Sequence, residues 1–138
     1  MAGITDLKVL LAGMKPILGQ NSYVFVTCPD AAYGDRAGLD PIGSFREAEG
    51  LTLIVPRQNA DAAGIAYDGG YRKITLQIHS SLAAVGLTAA VAGALAQSGI
   101  SANVVAAYFH DHIFVPEEKA ASALKTLEKL QLEAELNP

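Results

Sequence analysis

Two spacings of apolar residues recur along the chain. Leu7 and Leu10 lie on one face of a helix, whereas Ile74 and Leu76 alternate with polar neighbours as in a half-buried strand. These periods predict strands at residues 21–28, 44–49, 51–55, 72–79, 101–109 and 112–115. They predict helices at residues 4–13, 57–66, 86–98 and 117–130. Glycine and proline interrupt residues 29–43, which are expected to form a loop.

A hairpin followed by proline and a helix occurs twice. The offset of 60 residues holds for Pro56 and Pro116, for Ala60 and Ala120, and for Ala63 and Ala123. A repeat at such a period indicates a duplicated supersecondary unit. The second half reads β, α, β, β, α and needs one further strand to complete a ferredoxin-like unit, with an antiparallel sheet and both helices on one face.

We therefore expect an α+β protein made of two similar halves, residues 1–68 and 71–138. The first half is degenerate, because no helix occupies the place that residues 86–98 occupy in the second. The helix at residues 4–13 is the element that could fill this role.

Composition and charge narrow the class of protein. Apolar residues make up 51% of the 138 residues, enough for a folded core. Ten basic and 14 acidic side chains give a net charge of −4 without any basic cluster, so neither nucleic acid nor a membrane is an expected partner. Cys28 is the single cysteine, which excludes an intramolecular disulfide. With no signal-like start, the sequence predicts a cytoplasmic protein.

Four segments of the second half carry a family resemblance. They are Ile74-Thr75-Leu76-Gln77-Ile78, Val85-Gly86-Leu87-Thr88-Ala89-Ala90-Val91, Leu95-Ala96-Gln97-Ser98-Gly99-Ile100-Ser101 and Asp111-His112-Ile113-Phe114-Val115. In this order they resemble an ACT domain, a regulatory fold that binds small molecules. Together with residues 45–53 and 103–105, they make the whole chain similar to small bacterial tandem-ACT proteins and to the regulatory region of aspartokinase.

The resemblance implies a regulatory or sensor protein without enzymatic activity or cofactor, which forms a homodimer or larger assembly and binds a small molecule, an amino acid. The expected ligand-binding residues are His79, Ser80, Ser81, Val85, Gly86, Leu87 and Thr88, with Asn103 and Val104 as a floor. Glu47 and Glu49 are candidates for the α-amino group. The alternative function is a structural or protein-interaction module with no ligand.

Simpler interpretations of these residues stay open. The serines between strand and helix favour a carboxylate at the helix start, but they could instead cap that helix. Glu47 and Glu49 could be the solvent side of an edge strand. Thus the same residue types fit either a ligand site or ordinary surface structure.

The histidines raise the question of metal binding and catalysis. His110 and His112 are two residues apart, compatible with a metal pair, but a polar hairpin tip is the expected role and no metal is predicted. Ser80, His79 and Asp111 supply the residue types of a hydrolytic triad. Adjacent strand residues face opposite ways, however, and no nucleophile elbow motif is present, so we expect no catalysis.

Overall fold

The computed structural model describes residue 3 and residues 5–137. The start of the first predicted helix, residue 4, lies outside them. The α-helices are α1 (Leu7–Ala12), α2 (Arg57–Ala62), α3 (Leu87–Gln97) and α4 (Ala120–Leu136). The strands are β1 (Pro16–Cys28), β2 (Gly43–Glu47), β3 (Gly50–Pro56), β4 (Tyr71–Leu76), β5 (Asn103–Ala106) and β6 (Asp111–Pro116). Short 3-10 helices cover Ala37–Leu39 and Glu117–Lys119. The chain is an α+β protein, as the periodicity predicted.

The chain divides into two compact units, and β1 runs through both. The larger unit consists of Met1–Gln20 with Arg72–Pro138, and the smaller unit of Asn21–Tyr71. This division differs from the predicted halves, residues 1–68 and 71–138, because α1 and the first residues of β1 belong to the larger unit. The predicted halves describe a duplication in sequence, and as such they stay a prediction.

The larger unit has a sheet in the order β1-β4-β6-β5 with helices packed against it. β5 and β6 form an antiparallel hairpin in which Asn103 pairs with Phe114 and Ala106 with Asp111. The buried core is made of Leu10, Met14, Ile74, Leu76, Leu87, Val91, Leu95, Ile100, Ile113, Val115, Ala120, Ala123 and Leu127. On α3 the buried residues are four positions apart, so a single face of the helix meets the core. This is the ferredoxin-like arrangement that the sequence predicted, with β1 as the further strand.

Helix α1 packs against α3 and α4. Its role therefore lies in the larger unit, and the expectation that it replaces the missing helix of the first half was wrong. Asp6 caps it, because its carboxylate accepts a hydrogen bond of 3.2 Å from the backbone N–H of Val9. Leu10 and Met14 are fully buried and hold this segment in place.

The smaller unit has strands in the order β2-β3-β1. Both pairs are antiparallel, with Cys28 opposite Leu51 in one and Glu47 opposite Gly50 in the other. Its core consists of Val24, Val26, Cys28, Leu39, Leu51, Leu53, Val55 and Ala60. Cys28 is buried, as expected for a small apolar residue at a strand end. The predicted hairpin and the helix after Pro56 are both present.

The proline of the repeated segment has nearly the same backbone conformation in both copies. Pro56 has φ −56° and ψ 134°, and Pro116 has φ −52° and ψ 136°. Each proline ends a strand and directly precedes a helical turn. At the start of a helix the fixed φ of proline is compatible with the turn, and no helical hydrogen bond requires the missing N–H. Ala60 and Ala120 are both buried, but Ala63 is exposed where Ala123 is fully buried. The equivalence therefore ends within the first turns of the helices.

Several predicted boundaries were wrong. β1 starts at Pro16 rather than at residue 21, since proline is tolerated at the first position of a strand. β4 ends at Leu76, so residues 77–79 belong to the following loop. β5 is limited to Asn103–Ala106, and residues 107–110 form the connection to β6. Finally, α2 ends four residues early and α4 continues six residues longer than predicted.

Candidate functional site

The loop that joins β4 to α3, residues 77–86, is the candidate site, and Ser80 fixes its centre. Ser80 is 6% exposed, and its hydroxyl donates a hydrogen bond of 3.2 Å to Asp111 Oδ2. Asp111 is itself 9% exposed at the start of β6. A buried carboxylate needs hydrogen-bond donors to offset its lost hydration. The bond therefore ties the β4–α3 loop to the β5–β6 hairpin.

Ser81 shapes the next part of the loop. Its hydroxyl accepts a hydrogen bond of 3.1 Å from the N–H of Ala83, and its carbonyl accepts one of 3.0 Å from the N–H of Ala84. The side chains of Leu82 and Val85 are 66% and 82% exposed beyond this turn. Neither serine caps α3, since Ser80 bonds to Asp111 and Ser81 bonds within the loop. The capping interpretation was therefore wrong.

Gly86 ends the loop in a conformation that favours glycine. Its φ is +100°, and a Cβ at this position would lie 3.1 Å from Leu7 Cδ2. A side chain here would add backbone strain and crowd α1. Glycine therefore lets the Leu7 side chain of α1 pack directly against the start of α3.

The N-terminus of α3 is free of side-chain caps. Gly86 occupies the capping position without a side-chain hydrogen bond, and its carbonyl accepts the N–H of Ala90. Among residues 3 and 5–137, no side chain therefore caps the N–H groups of this first turn, which begins at Leu87. Leu87 is buried and Thr88 is exposed, so the turn is anchored on one side and open on the other. Such a terminus attracts a carboxylate or another anion.

An aromatic cluster of His79, Tyr108 and Phe109 lies beside this loop. The ring centroids of His79 and Phe109 are 5.1 Å apart, and those of Tyr108 and Phe109 are 4.9 Å apart in a T-shaped arrangement. Tyr108 and Phe109 are nevertheless 62% and 57% exposed. Sequence reasoning missed both, because it placed them in a strand. The sequence feature that could have identified Tyr108 and Phe109 is a pair of adjacent aromatic residues directly before His110-Asp111.

The residues predicted as a floor lie at the other end of the β5–β6 hairpin. Asn103 begins β5 opposite Phe114 and donates a 3.4 Å hydrogen bond to its carbonyl oxygen. Asp111, the partner of Ser80, is three residues away from Phe114, roughly 10 Å along the strand. Val104 is half-buried against the core. The structure thus brings Ser80 to Asp111 rather than to Asn103.

The two glutamates belong to the β2–β3 hairpin of the smaller unit. Glu47 is the last residue of β2 and accepts a hydrogen bond from the Thr52 hydroxyl. Glu49 lies in the turn that follows, so the two do not alternate along one strand as expected. Both side chains are exposed. Their assignment to an α-amino group stays a prediction.

His112 lies in an environment that lowers the pKa of its ring. Its Nδ1 lies 2.9 Å from the Thr75 hydroxyl, and the ring is half-buried. Burial lowers the pKa of His112 below 6.5, the positive charges of Lys73 and His110 add to this lowering, and Asp111 opposes it. Burial therefore stabilises the neutral ring relative to the charged one.

Neither a metal cluster nor a catalytic relay is assembled from these side chains in the part of the chain that the structure describes. Residues 3 and 5–137 contain no group of three histidine, cysteine or acidic side chains placed to hold a metal ion. His110 and His112 have ring centroids 6.4 Å apart. Ser80 donates directly to Asp111, whereas the His79 ring lies against Phe109. The three residue types of a triad are thus present without the serine–histidine–aspartate order that nucleophile activation requires.

The topology defines the class of protein first. Antiparallel strands with a repeated hairpin-proline-helix segment form tandem ferredoxin-like units, and in the larger unit β4 leads through a loop into α3. Two family models, each described as ACT domain, match residues 2–72 and 68–129. The chain belongs to the ACT domain family.

Solved structures agree with this assignment. The chain is 49% identical to a Vibrio cholerae protein of unknown function, called a possible transport protein, over 91% of this chain and 95% of that one, with a TM-score of 0.83. A protein from Agrobacterium tumefaciens is 17% identical, with coverage of 84% and 87% and a TM-score of 0.66. The regulatory subunit of aspartate kinase from Thermus flavus is 12% identical, with coverage of 94% and 99% and a TM-score of 0.61. The last two similarities concern the fold.

Two further findings are negative. No curated protein matches the chain significantly. Among the described residues, no helix combines the length and apolarity needed to cross a bilayer.

Proposed function

We propose that the chain is a regulatory protein that binds a small carboxylate, an amino acid, at the β4–α3 loop. Its membership of the ACT domain family and the similar fold of aspartate kinase regulatory subunits support a regulatory role. The amino acid binds through the carboxylate at the first turn of α3. Its side chain lies toward the neighbouring aromatic cluster.

One observation carries this proposal, the uncapped N-terminus of α3 behind Gly86. The first-turn N–H groups supply donors, and the helix dipole adds positive potential. Thr88 and Ala89 of this first turn are exposed, so a ligand can reach it from the solvent side. Residues 77–86 contain no acidic side chain that would repel an anion, and the nearby Asp111 is buried and hydrogen-bonded to Ser80.

A thermal-shift screen of the twenty amino acids tests the proposal. A ligand that binds only the folded state raises stability by about 2.7 kcal/mol at a hundredfold excess over Kd. At least one amino acid should therefore raise the melting temperature. Replacement of Gly86 is a poor test, since any side chain at φ +100° strains the fold itself.

Two glutamate substitutions at opposite ends of α3 provide the decisive comparison. Thr88→Glu places an exposed negative charge in the first turn, where it repels a carboxylate while favouring the helix. Gln97→Glu adds the same charge at the last residue of the helix and serves as the matched control. The amino-acid shift should vanish in Thr88→Glu and persist in Gln97→Glu. Equal shifts in both variants would contradict the proposed site.

A protein-interaction module is the second candidate function. The observation that favours it is the exposure of four large apolar side chains on the loop and the adjacent hairpin tip, Leu82, Val85, Tyr108 and Phe109. Apolar groups exposed together commonly mark contact surfaces. If all twenty amino acids leave the melting temperature unchanged, this function becomes the better account.

We further propose that the protein acts in the cytoplasm as a homodimer or larger assembly. β2 and β5 stand at the ends of the strand order, and each pairs with one neighbour among the described strands. Unpaired strand edges favour association with a second copy. The single buried cysteine is compatible with a reducing compartment.

A further inference from the structure

The smaller unit contains a cleft where the larger unit has a helix. In the larger unit α3 connects the strands β4 and β5, whereas in the smaller unit residues 29–42 connect β1 to β2 with a single 3-10 turn, Ala37–Leu39. One short turn covers less of a sheet face than an eleven-residue helix does. A cleft of about 310 Å³ lies between this connection and the hairpin of β2 and β3.

The floor of the cleft is apolar. Leu51 and Leu53 of β3 line it and are 2% and 3% exposed, because they also belong to the core of the smaller unit. Ile42 and Tyr33 form its walls and are 46% and 79% exposed. The repeat offers a comparison, since Ile113 stands 60 residues after Leu53 and is fully buried in a core that includes α3. The floor is thus nearly as buried as its counterpart, and the exposed apolar surface of the cleft comes from Ile42 and Tyr33.

Arg36 is the one charged side chain of the cleft lining. Among the residues that the structure describes, its guanidinium makes no hydrogen bond or ion pair. The adjacent Asp35 is not part of the lining, and its carboxylate accepts the backbone N–H of Ala32 at 2.7 Å. The hydroxyls of Tyr33 and Ser44 are the remaining polar side-chain groups of the lining. The cleft therefore has an apolar floor and one cationic, bidentate donor at its edge.

We propose that this cleft is a second ligand site, separate from the β4–α3 loop, for small monocarboxylates with an apolar body. Arg36 binds the carboxylate, while Leu51, Leu53 and Ile42 contact the aliphatic or aromatic part. The volume lies at the lower end of the range for small-molecule pockets, about 300–1,000 Å³. The lining contains no carboxylate to receive an ammonium group, so free amino acids are disfavoured. The two sites thus differ in ligand class.

Titration of the ¹⁵N-labelled full chain with octanoate tests this site by amide chemical shifts, with 1-octanol as the uncharged analogue. Octanoate should shift the amides of Ala37, Ser44 and Leu53 saturably. Arg36→Gln removes the cation and should weaken octanoate binding about tenfold or more, while 1-octanol binding stays within about twofold. Lys8→Gln makes the same charge change on the exposed face of α1 and should leave both affinities unchanged.

A cleft-filling variant separates shape from charge. Ala37→Leu places additional carbon atoms in the cleft from an exposed position outside the core, so it should weaken octanoate and 1-octanol alike. Octanoate shifts that are absent, or that are confined to Leu87 and Thr88, would overturn the proposal, as would an Arg36→Gln variant with wild-type affinity. These outcomes are independent of the amino-acid screen, which reports on residues of the other unit.

Discussion

At the residue scale, the candidate site depends on a few side chains with buried or constrained environments. Ser80 and Asp111 are both buried and hydrogen-bonded to each other, although they are 31 residues apart in the sequence. No local pattern reveals such a pair, because periodicity reports which face a residue occupies and not which distant residue it meets. The sequence predicted Ser80 as a ligand-binding residue, but not that its hydroxyl would donate a hydrogen bond to the Asp111 carboxylate.

The Ser80–Asp111 bond should contribute measurably to stability. Ser80→Ala leaves a buried carboxylate oxygen without its donor, which costs about 1–3 kcal/mol of the free energy of unfolding. Ser81→Ala is the matched control, since it removes a bond in a less buried turn and should cost less than about 1 kcal/mol. Urea denaturation of both variants measures the difference. Equal losses would show that the buried pair has no special role.

His112 should make stability depend on pH near neutrality. Burial and the charges of Lys73 and His110 lower its pKa in the folded state below the unfolded value of 6.5. Below that value the unfolded chain binds more protons than the folded chain, so stability falls as pH decreases through the window between the two pKa values. Above pH 6.5, His112 is neutral in both the folded and the unfolded chain, so its protonation no longer lowers the free energy of unfolding.

His112→Gln removes the titrating group and should flatten this dependence. Thermal unfolding at several pH values from about 7.5 down to about 5.5, above the range where carboxylates titrate, measures it. The wild type should lose more stability than the variant across this interval. An unchanged slope in the variant would contradict the role assigned to burial.

At the element scale, regular elements followed from the sequence more readily than the segments between them. Alternation predicted β4, and Gly99 marked the end of α3 through its φ of +73°. The first residues of β1 were not predicted as strand, because proline and glycine are typical of the segments between elements. Pro16 and Gly19 nevertheless belong to β1, near its first end. The long connection of the smaller unit was predicted as a loop at residues 29–43, but its 3-10 turn at Ala37–Leu39 was not, since the side chains there follow no period.

Two glycines associated with α3 should respond to alanine in opposite directions. Gly86→Ala adds a Cβ at φ +100°, 3.1 Å from Leu7 Cδ2, and should destabilise the protein by about 1 kcal/mol or more. Gly93 lies exposed inside the helix, where a Cβ would meet no atom within 4 Å, so Gly93→Ala should stabilise by about 0.5–1 kcal/mol. Denaturation midpoints compare the two variants. A stabilised Gly86→Ala variant would refute the conformational argument.

At the scale of the whole molecule, the repeat predicted tandem units, the first of them without a counterpart of α3, but not that α1 belongs to the larger unit. Val55-Pro56 and Val115-Pro116 are equivalent in sequence and backbone conformation. Helix α1 could not be assigned from pattern alone, because its apolar face fits a core in either unit. The consequence is a larger unit with three helices and a smaller unit with one α-helix and an open cleft.

The terminal strands of the sheet order predict self-association. β5 carries Val105 at 40% exposure, and β2 carries Phe45 at 71%. An exposed edge with apolar side chains favours pairing with a second copy. Light scattering should give twice the chain mass of 14.4 kDa or more at micromolar concentration. A constant 14.4 kDa under those conditions would exclude the proposed assembly.

The central claim is that an amino-acid carboxylate binds at the first turn of α3. The most direct measurement is an amide chemical-shift titration of the ¹⁵N-labelled protein with the amino acid that raises the melting temperature most. The account predicts saturable shifts centred on the amides of Leu87, Thr88 and Ala89, with the Kd that the thermal shift implies, and their loss in Thr88→Glu. Saturable shifts elsewhere, with these three amides unmoved, would contradict it.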